Sequence, residues 1–188
     1  MNVTMFSPEL FDTMEQQARQ SMRKRQHLNI HGSFEDPCQR FFNAIGRDSY
    51  IRPHRHSLDP KTEDLFAVRG AFALVIFDEQ GSVIAVERFG TEKHGGAHGM
   101  AVGVELAPGA WHTVVALTDN AVLLEMKAGP FVPTAAKELA TWAPDEGSAE
   151  APAYLQSLRY QIATWTIPQE EVASAGTMTQ GNELSTCS

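Results

Sequence analysis

Between Tyr50 and Lys127 the chain is a succession of short β-prone runs, each closed by turn residues. This rhythm constrains the fold more than any other feature. Leu65–Arg69 and Ala71–Phe77 flank Gly70, and the turn Asp78-Glu79-Gln80-Gly81 leads back into Ser82–Phe89. A glycine-rich stretch, Gly90–Gly99, precedes Met100–Leu106; Pro108-Gly109 turns into Trp111–Ala116, and Thr118-Asp119-Asn120 turns into Val122–Lys127. Strands at such regular intervals predict a sandwich or a barrel, and closure would remove exposed edges.

The flanks read differently. Ser7-Pro8-Glu9 carries a helix start, with Ser7 as the cap, and Leu10, Phe11, Met14, Ala18 and Met22 follow at helical spacing. A second helix is expected from Asp36-Pro37, with Cys38, Phe41, Phe42 and Ile45 on one face and Gly46 as its stop. After Gly129-Pro130 the β pattern ends, and Tyr154, Leu155, Leu158 and Ile162 predict a third helix. The expected organisation is a helical arm over 1–46, a β-barrel over 47–142 and a helical extension over 143–167. The polar tail 168–188 is expected to be disordered.

A net charge of −8 and a pI near 5.3 leave no electrostatic footprint for nucleic acid. The short basic cluster Arg23-Lys24-Arg25 is expected at a helix C-terminus, where it suits the dipole. The run Ala71–Phe77 is strand-sized rather than membrane-spanning, and the first residues lack a signal-peptide core, so a cytoplasmic address is expected. Cys38 is expected on an apolar helix face and Cys187 in the tail, which argues against a disulfide.

The chemistry concentrates in His54-Arg55-His56, followed by Glu63, with His112 far downstream. On a strand, residues i and i+2 project to one face, so His54 and His56 can present two imidazoles to one point. His112 lies just beyond the Pro108-Gly109 turn, where a neighbouring strand can bring it alongside. Three neutral imidazoles and a carboxylate suit Fe, Mn, Ni or Zn and leave coordination positions open. Asp59 and Asp64 compete with Glu63 as the carboxylate; Asp64 is adjacent to Glu63, so the two face opposite sides of a strand. Arg55, between the histidines, should point away. His94 and His98 flank Gly95-Gly96 and read as a solvated loop.

These residues resemble the two short motifs of the cupin superfamily. Gly46, His54-Arg55-His56 and Glu63 with Gly70 beyond it follow the first motif, and Pro108-Gly109-Ala110-Trp111-His112 follows the second. Six residues separate His56 from Glu63, more than the three or four of that motif, and Ala116 stands where many cupins carry Asn. A narrower resemblance, from about Phe6 to Leu158, is to the WbuC family of cupin-fold metalloproteins, some of whose genes lie in O-antigen clusters. It is carried by Leu28-Asn29-Ile30-His31, Asp36-Pro37-Cys38-Gln39-Arg40, Arg52-Pro53-His54-Arg55-His56, Pro108-Gly109-Ala110-Trp111-His112 and Trp142-Ala143-Pro144.

The resemblance implies a mainly β, cupin-like jelly-roll barrel with an N-terminal helical arm and a C-terminal helix. It implies one divalent metal held by His54, His56, Glu63 and His112, and it allows a homodimer. His31, Arg40, Arg52, Arg69 and Lys127 are candidates for contacting a small-molecule substrate. The leading expectation is a metal-dependent enzyme acting on a sugar or sugar nucleotide in surface-polysaccharide synthesis. The rival is a non-catalytic, metal-dependent sugar-binding or regulatory module. A metal-free epimerase-type barrel would need a His–carboxylate dyad instead of three clustered histidines.

Overall fold

A computed structural model of the chain describes residues 3–94, 100–135 and 137–166. Ten strands form two five-stranded antiparallel sheets. The first holds, in spatial order, β1 (Arg25–Asn29), β2 (Cys38–Ile45), β9 (Val122–Ala128), β4 (Glu63–Arg69) and β7 (Gly103–Leu106). The second holds β10 (Glu138–Leu139), β3 (His54–Arg55), β8 (Trp111–Ala116), β5 (Ala71–Phe77) and β6 (Val83–Gly90). Helices α1 (Pro8–Gln20) and α2 (Ala151–Thr164) flank the sheets, and short 3-10 turns lie at Glu92–His94 and Pro133–Ala135.

Strand alternation sorts the apolar residues into three clusters. One face of the second sheet, with Val75, Phe77 and Val115, packs against Leu155, Leu158 and Ile162 of α2. Its other face meets the first sheet through Phe72, Leu74, Val114, Leu65 and Leu123. The outer face of the first sheet, with Phe42, Ala44 and Val122, receives Phe11, Met14 and Ala18 of α1. The order is therefore helix, sheet, sheet, helix. Strand β5 reads as an unbroken apolar run, and β8 is buried along its whole length, because both of their faces are covered.

The sheets join on one side, where the Gly90 amide donates to the Ala101 carbonyl and Phe89 bridges Ala101. On the other side β1 and β10 are the edges of their sheets and do not pair with each other. Gly70, at φ +72°, lets β4 turn directly into β5; a Cβ there would lie 2.3 Å from the Thr118 hydroxyl. No described helix is long and apolar enough to cross a membrane.

Two expectations for the N-terminal region are corrected. The helix predicted from Asp36 is strand β2, and β1 and β2 both belong to the first sheet, so the stretch 1–46 is not a helical arm throughout. Cys38, Phe41, Phe42 and Ile45 fit a helical period, but β2 has apolar neighbours on both faces, which erases the alternation that signals a strand. Cys38 is consequently exposed. The basic cluster is also displaced: α1 ends at Gln20, and Arg25 opens β1 with its side chain buried against Glu146 and the Tyr50 carbonyl. The predicted third helix is α2, and the tail 168–188 lies outside the described residues.

Helix α1 is anchored by apolar contact and by Arg69, which bonds Asp12 at 2.6 Å, Glu15 at 3.2 Å and the Pro8 carbonyl at 2.9 Å. Phe11 is buried, with its ring edge-on to Phe42 at 5.0 Å. Phe11→Ala should cost about 3 kcal/mol of stability, the usual loss for a buried Phe. Urea unfolding checks this; a loss below about 1 kcal/mol would show that α1 contributes little to the fold.

Candidate metal centre

Strands β3 and β8 place His54 directly opposite His112. The turn that makes this pairing available contains Gly109, whose φ of +79° is left-handed and free of steric cost only for glycine. His56 follows two residues after His54. One ligand atom from each of His54, His56 and His112 lies within 4.8 Å of the others, a group able to hold a metal ion. Glu63 arrives from the opposite sheet as the first residue of β4, only 3% exposed. Its carboxylate lies 2.9 Å from His56 Nε2 and 3.5 Å from His112 Nε2.

The backbone sets the tautomers. His54 Nδ1 lies 3.0 Å from the Arg52 carbonyl, and His112 Nδ1 lies 2.9 Å from the Ala110 carbonyl. A carbonyl can only accept, so each Nδ1 carries the hydrogen and each Nε2 presents a lone pair. His112 Nε2 then meets the Glu63 oxygen as one acceptor facing another, unless a proton or a cation lies between them. This donor set fits a divalent ion: aimed imidazole lone pairs, a buried carboxylate, and carbonyls holding the rings.

The electrostatics agree. Burial lowers His54 well below its ordinary value, and neighbouring His112 and Lys137 reinforce the shift, so the ring is neutral. Burial alone would raise the Glu63 carboxyl; its contacts with the His112 and His56 rings and the charge of Lys127 override it and hold the group far below the usual carboxylate range. Lys127 Nζ sits 2.8 Å from Glu63 and 3.3 Å from Glu125. Burial would lower its pKa, but the two carboxylates raise it. Glu125 is raised, chiefly by burial and then by Glu63.

The cluster lies in a cavity of about 350 Å³ between the sheets. Of the residues singled out from sequence, His31, Lys127 and the four clustered side chains line it. Arg40, Arg52 and Arg69 do not. Arg40 bonds the Cys38 carbonyl and lies 3.6 Å from Asp36; Arg52 binds the Ala140 carbonyl and Asp145; Arg69 holds α1 on the outside. Leu65 and Arg69 share a strand face by alternation, and the register shift between Ala67 and Arg69 is what turns Arg69 away from the cavity. Arg55 points away as expected, stacked over Trp111 at 4.4 Å and paired with Glu138 and Glu79. Asp59 pairs with Lys61 at 2.8 Å, and Asp64 projects from β4 on the face opposite Glu63. His94 ends a 3-10 turn, while His98 lies outside the described residues.

Sequence reasoning missed Arg25, His27, Gln39, Asn43, Glu125 and Lys137, all on the cavity wall. A signal existed: Arg25, His27 and Asn29, and likewise Gln39, Phe41 and Asn43, alternate at period two. Reading β2 as a helix hid it.

A family model described as a domain of unknown function (DUF6016) matches residues 6–89, which include His54, His56 and Glu63 but not His112. No curated protein matches the sequence. Among solved structures, a Shewanella oneidensis protein is similar at 14% identity, over 73% of this chain and 82% of that one, with a TM-score of 0.47. A cupin-2 domain protein from Rhodospirillum rubrum follows at 12%, over 72% and 80%, TM-score 0.45. A cupin 2 conserved barrel domain protein from Rhodopseudomonas palustris stands at 15%, over 74% and 77%, TM-score 0.41. The fold itself is decided by strand order: two packed antiparallel sheets in a jelly roll. It is a cupin-like barrel.

The imidazoles also make stability depend on pH. Enclosure in the wall, with Arg25, Arg23 and Lys137 nearby, pushes His27 down to about 4 from an ordinary 6.5, and His54 is lowered too. Between those limits the unfolded chain binds protons that the folded chain does not, so stability is full above about pH 6.5 and falls below it. The urea midpoint of chelator-treated protein should drop from about pH 7 to about pH 4.5, less steeply in His27→Gln. A His27→Gln profile as steep as wild type would contradict the assignment.

Proposed function

We propose that this chain binds one divalent metal ion, Fe, Mn, Ni or Zn, through Nε2 of His54, His56 and His112 together with Glu63, and acts as a metal-dependent enzyme on a small polar substrate such as a sugar. The observation that carries the reading is the convergence of three imidazoles, those of His54 and His112 with Nδ1 hydrogens already committed to carbonyls, and a buried carboxylate opposite them. When bound, such an ion supplies Lewis-acid polarisation of a substrate oxygen. The resemblance to the WbuC family supports a setting in surface-polysaccharide (O-antigen) synthesis.

The chain's own residues divide the work. Glu63 neutralises charge at the centre, and Lys127 holds that carboxylate in place at 2.8 Å. Glu125 lines the cavity with a carboxyl raised by burial and by Glu63, which makes it the group suited to hold or accept a proton beside a bound substrate. Apolar Ile51, Leu65 and Val114 restrict water around the centre.

Replacing His54, His56 or His112 with Ala removes a donor that only water can replace. Each change should lower metal affinity at least tenfold, about 1.4 kcal/mol. Glu63→Gln should weaken binding less, because an amide oxygen still coordinates, and Asp64→Asn should leave it unchanged. Elemental analysis after dialysis against a weak chelator reads the series; full metal retention by His112→Ala would overturn the site. A turnover screen with phosphorylated and acidic sugars then separates the enzyme from a binding module, which would hold metal without turnover.

A further inference from the structure

The cavity wall is electrically uneven. Near the metal end, Lys127 is offset by Glu63 and Glu125. Elsewhere, Arg23, Arg25 and Lys137 share the wall with His27 and Asn29, and the carboxylate set against the two arginines is Glu146. Arg25 is committed to Glu146 and to the Tyr50 carbonyl. Lys137 has no hydrogen-bond or ion-pair partner among the described residues, although it lines the cavity. A protein of net charge −8 thus gathers cationic side chains on this part of its cavity wall.

The wall also carries unmet hydrogen-bonding capacity. Asn43 is 5% exposed and lines the cavity, yet its Oδ1 has no partner among the described residues. His31 Nε2 is buried and equally without a partner among the described residues, while its Nδ1 lies 2.8 Å from the Arg40 carbonyl and 3.0 Å from the Arg40 backbone N–H. A buried polar atom without a partner is costly, so its retention on a cavity wall points to a ligand that supplies the partner.

Size limits the choice. At roughly 30 Å³ per water, about 350 Å³ holds roughly a dozen water-sized groups. That suits a monosaccharide with one substituent. A nucleotide sugar would leave its nucleotide outside.

We propose that the cavity takes a small hydroxylated anion, monosaccharide-sized and bearing a carboxylate or phosphate, with the anionic group at Lys137 and a hydroxyl donating to Asn43 Oδ1. This rests on the metal reading only in assigning His54, His56, His112 and Glu63 to the metal. An anion there would also relieve the mutual repulsion that helps push His27 down to about 4.

The test is calorimetric titration of the full chain, zinc-reconstituted, with glucose 6-phosphate, glucuronate, neutral glucose and inorganic phosphate. Glucose 6-phosphate or glucuronate should bind at least tenfold tighter than glucose, weakening as salt is raised, and the His27 resonance should titrate at higher pH in its presence. Lys137→Gln should abolish the preference without changing zinc content. Asn43→Ser should weaken glucose 6-phosphate more than inorganic phosphate. Equal binding of glucose and both acids, or a preference intact in Lys137→Gln, overturns the anionic subsite. Inorganic phosphate binding as tightly as glucose 6-phosphate overturns the hydroxyl contact. Zinc content is read independently: protein that retains no zinc but still prefers the anions sinks the metal reading and keeps this one.

Discussion

The Glu63 carboxylate is the interaction on which the interior depends. It belongs to β4 of the first sheet, but its oxygens face His56 and His112 from the second-sheet side, and Lys127 grips it from β9. A carboxylate 3% exposed is expensive to desolvate, and removing one partner of such a buried arrangement leaves an uncompensated charge. The two sheets are therefore tied by polar contacts at their centre, where most sandwiches use apolar ones.

What permits this is the placement of the apolar residues. The outer faces of both sheets are covered, by α1 over Phe42 and Val122 and by α2 over Val75 and Val115. Apolar burial on those faces supplies the main driving force for folding. The lumen is then free to keep a cavity, atoms on Asn43 and His31 without a partner among the described residues, and a His54 ring held neutral. Such features lower stability where they occur, and they are the arrangement expected of a binding site rather than of a core.

Much of the barrel was legible in the sequence. From Glu63 to Ala128 the strands fall where turn residues punctuate β-prone runs, and H-x-H with a distant P-G-x-x-H announced the histidine cluster. The helix mistakenly read over β2 shows where local pattern fails: Phe41 and Phe42 are adjacent, both partly or wholly buried, on opposite faces of one strand. A period of two is visible only when one face is wet.

The residue types able to hold a metal, the strand alternation that sets Glu63 and Asp64 on opposite faces, and the amphipathic α1 were determined by sequence alone. Local chemistry suffices for these, since each depends on neighbours a few residues away. The tertiary structure alone decided that Arg40, Arg52 and Arg69 serve packing rather than the cavity, and that Arg25, Asn43, Glu125 and Lys137 line it. Their positions follow from which strands pair far apart in sequence, such as Glu63 with Lys127 and Arg55 with Glu138. No periodicity within one strand encodes that pairing, because a side chain's surroundings are set by the strand or helix that packs against it.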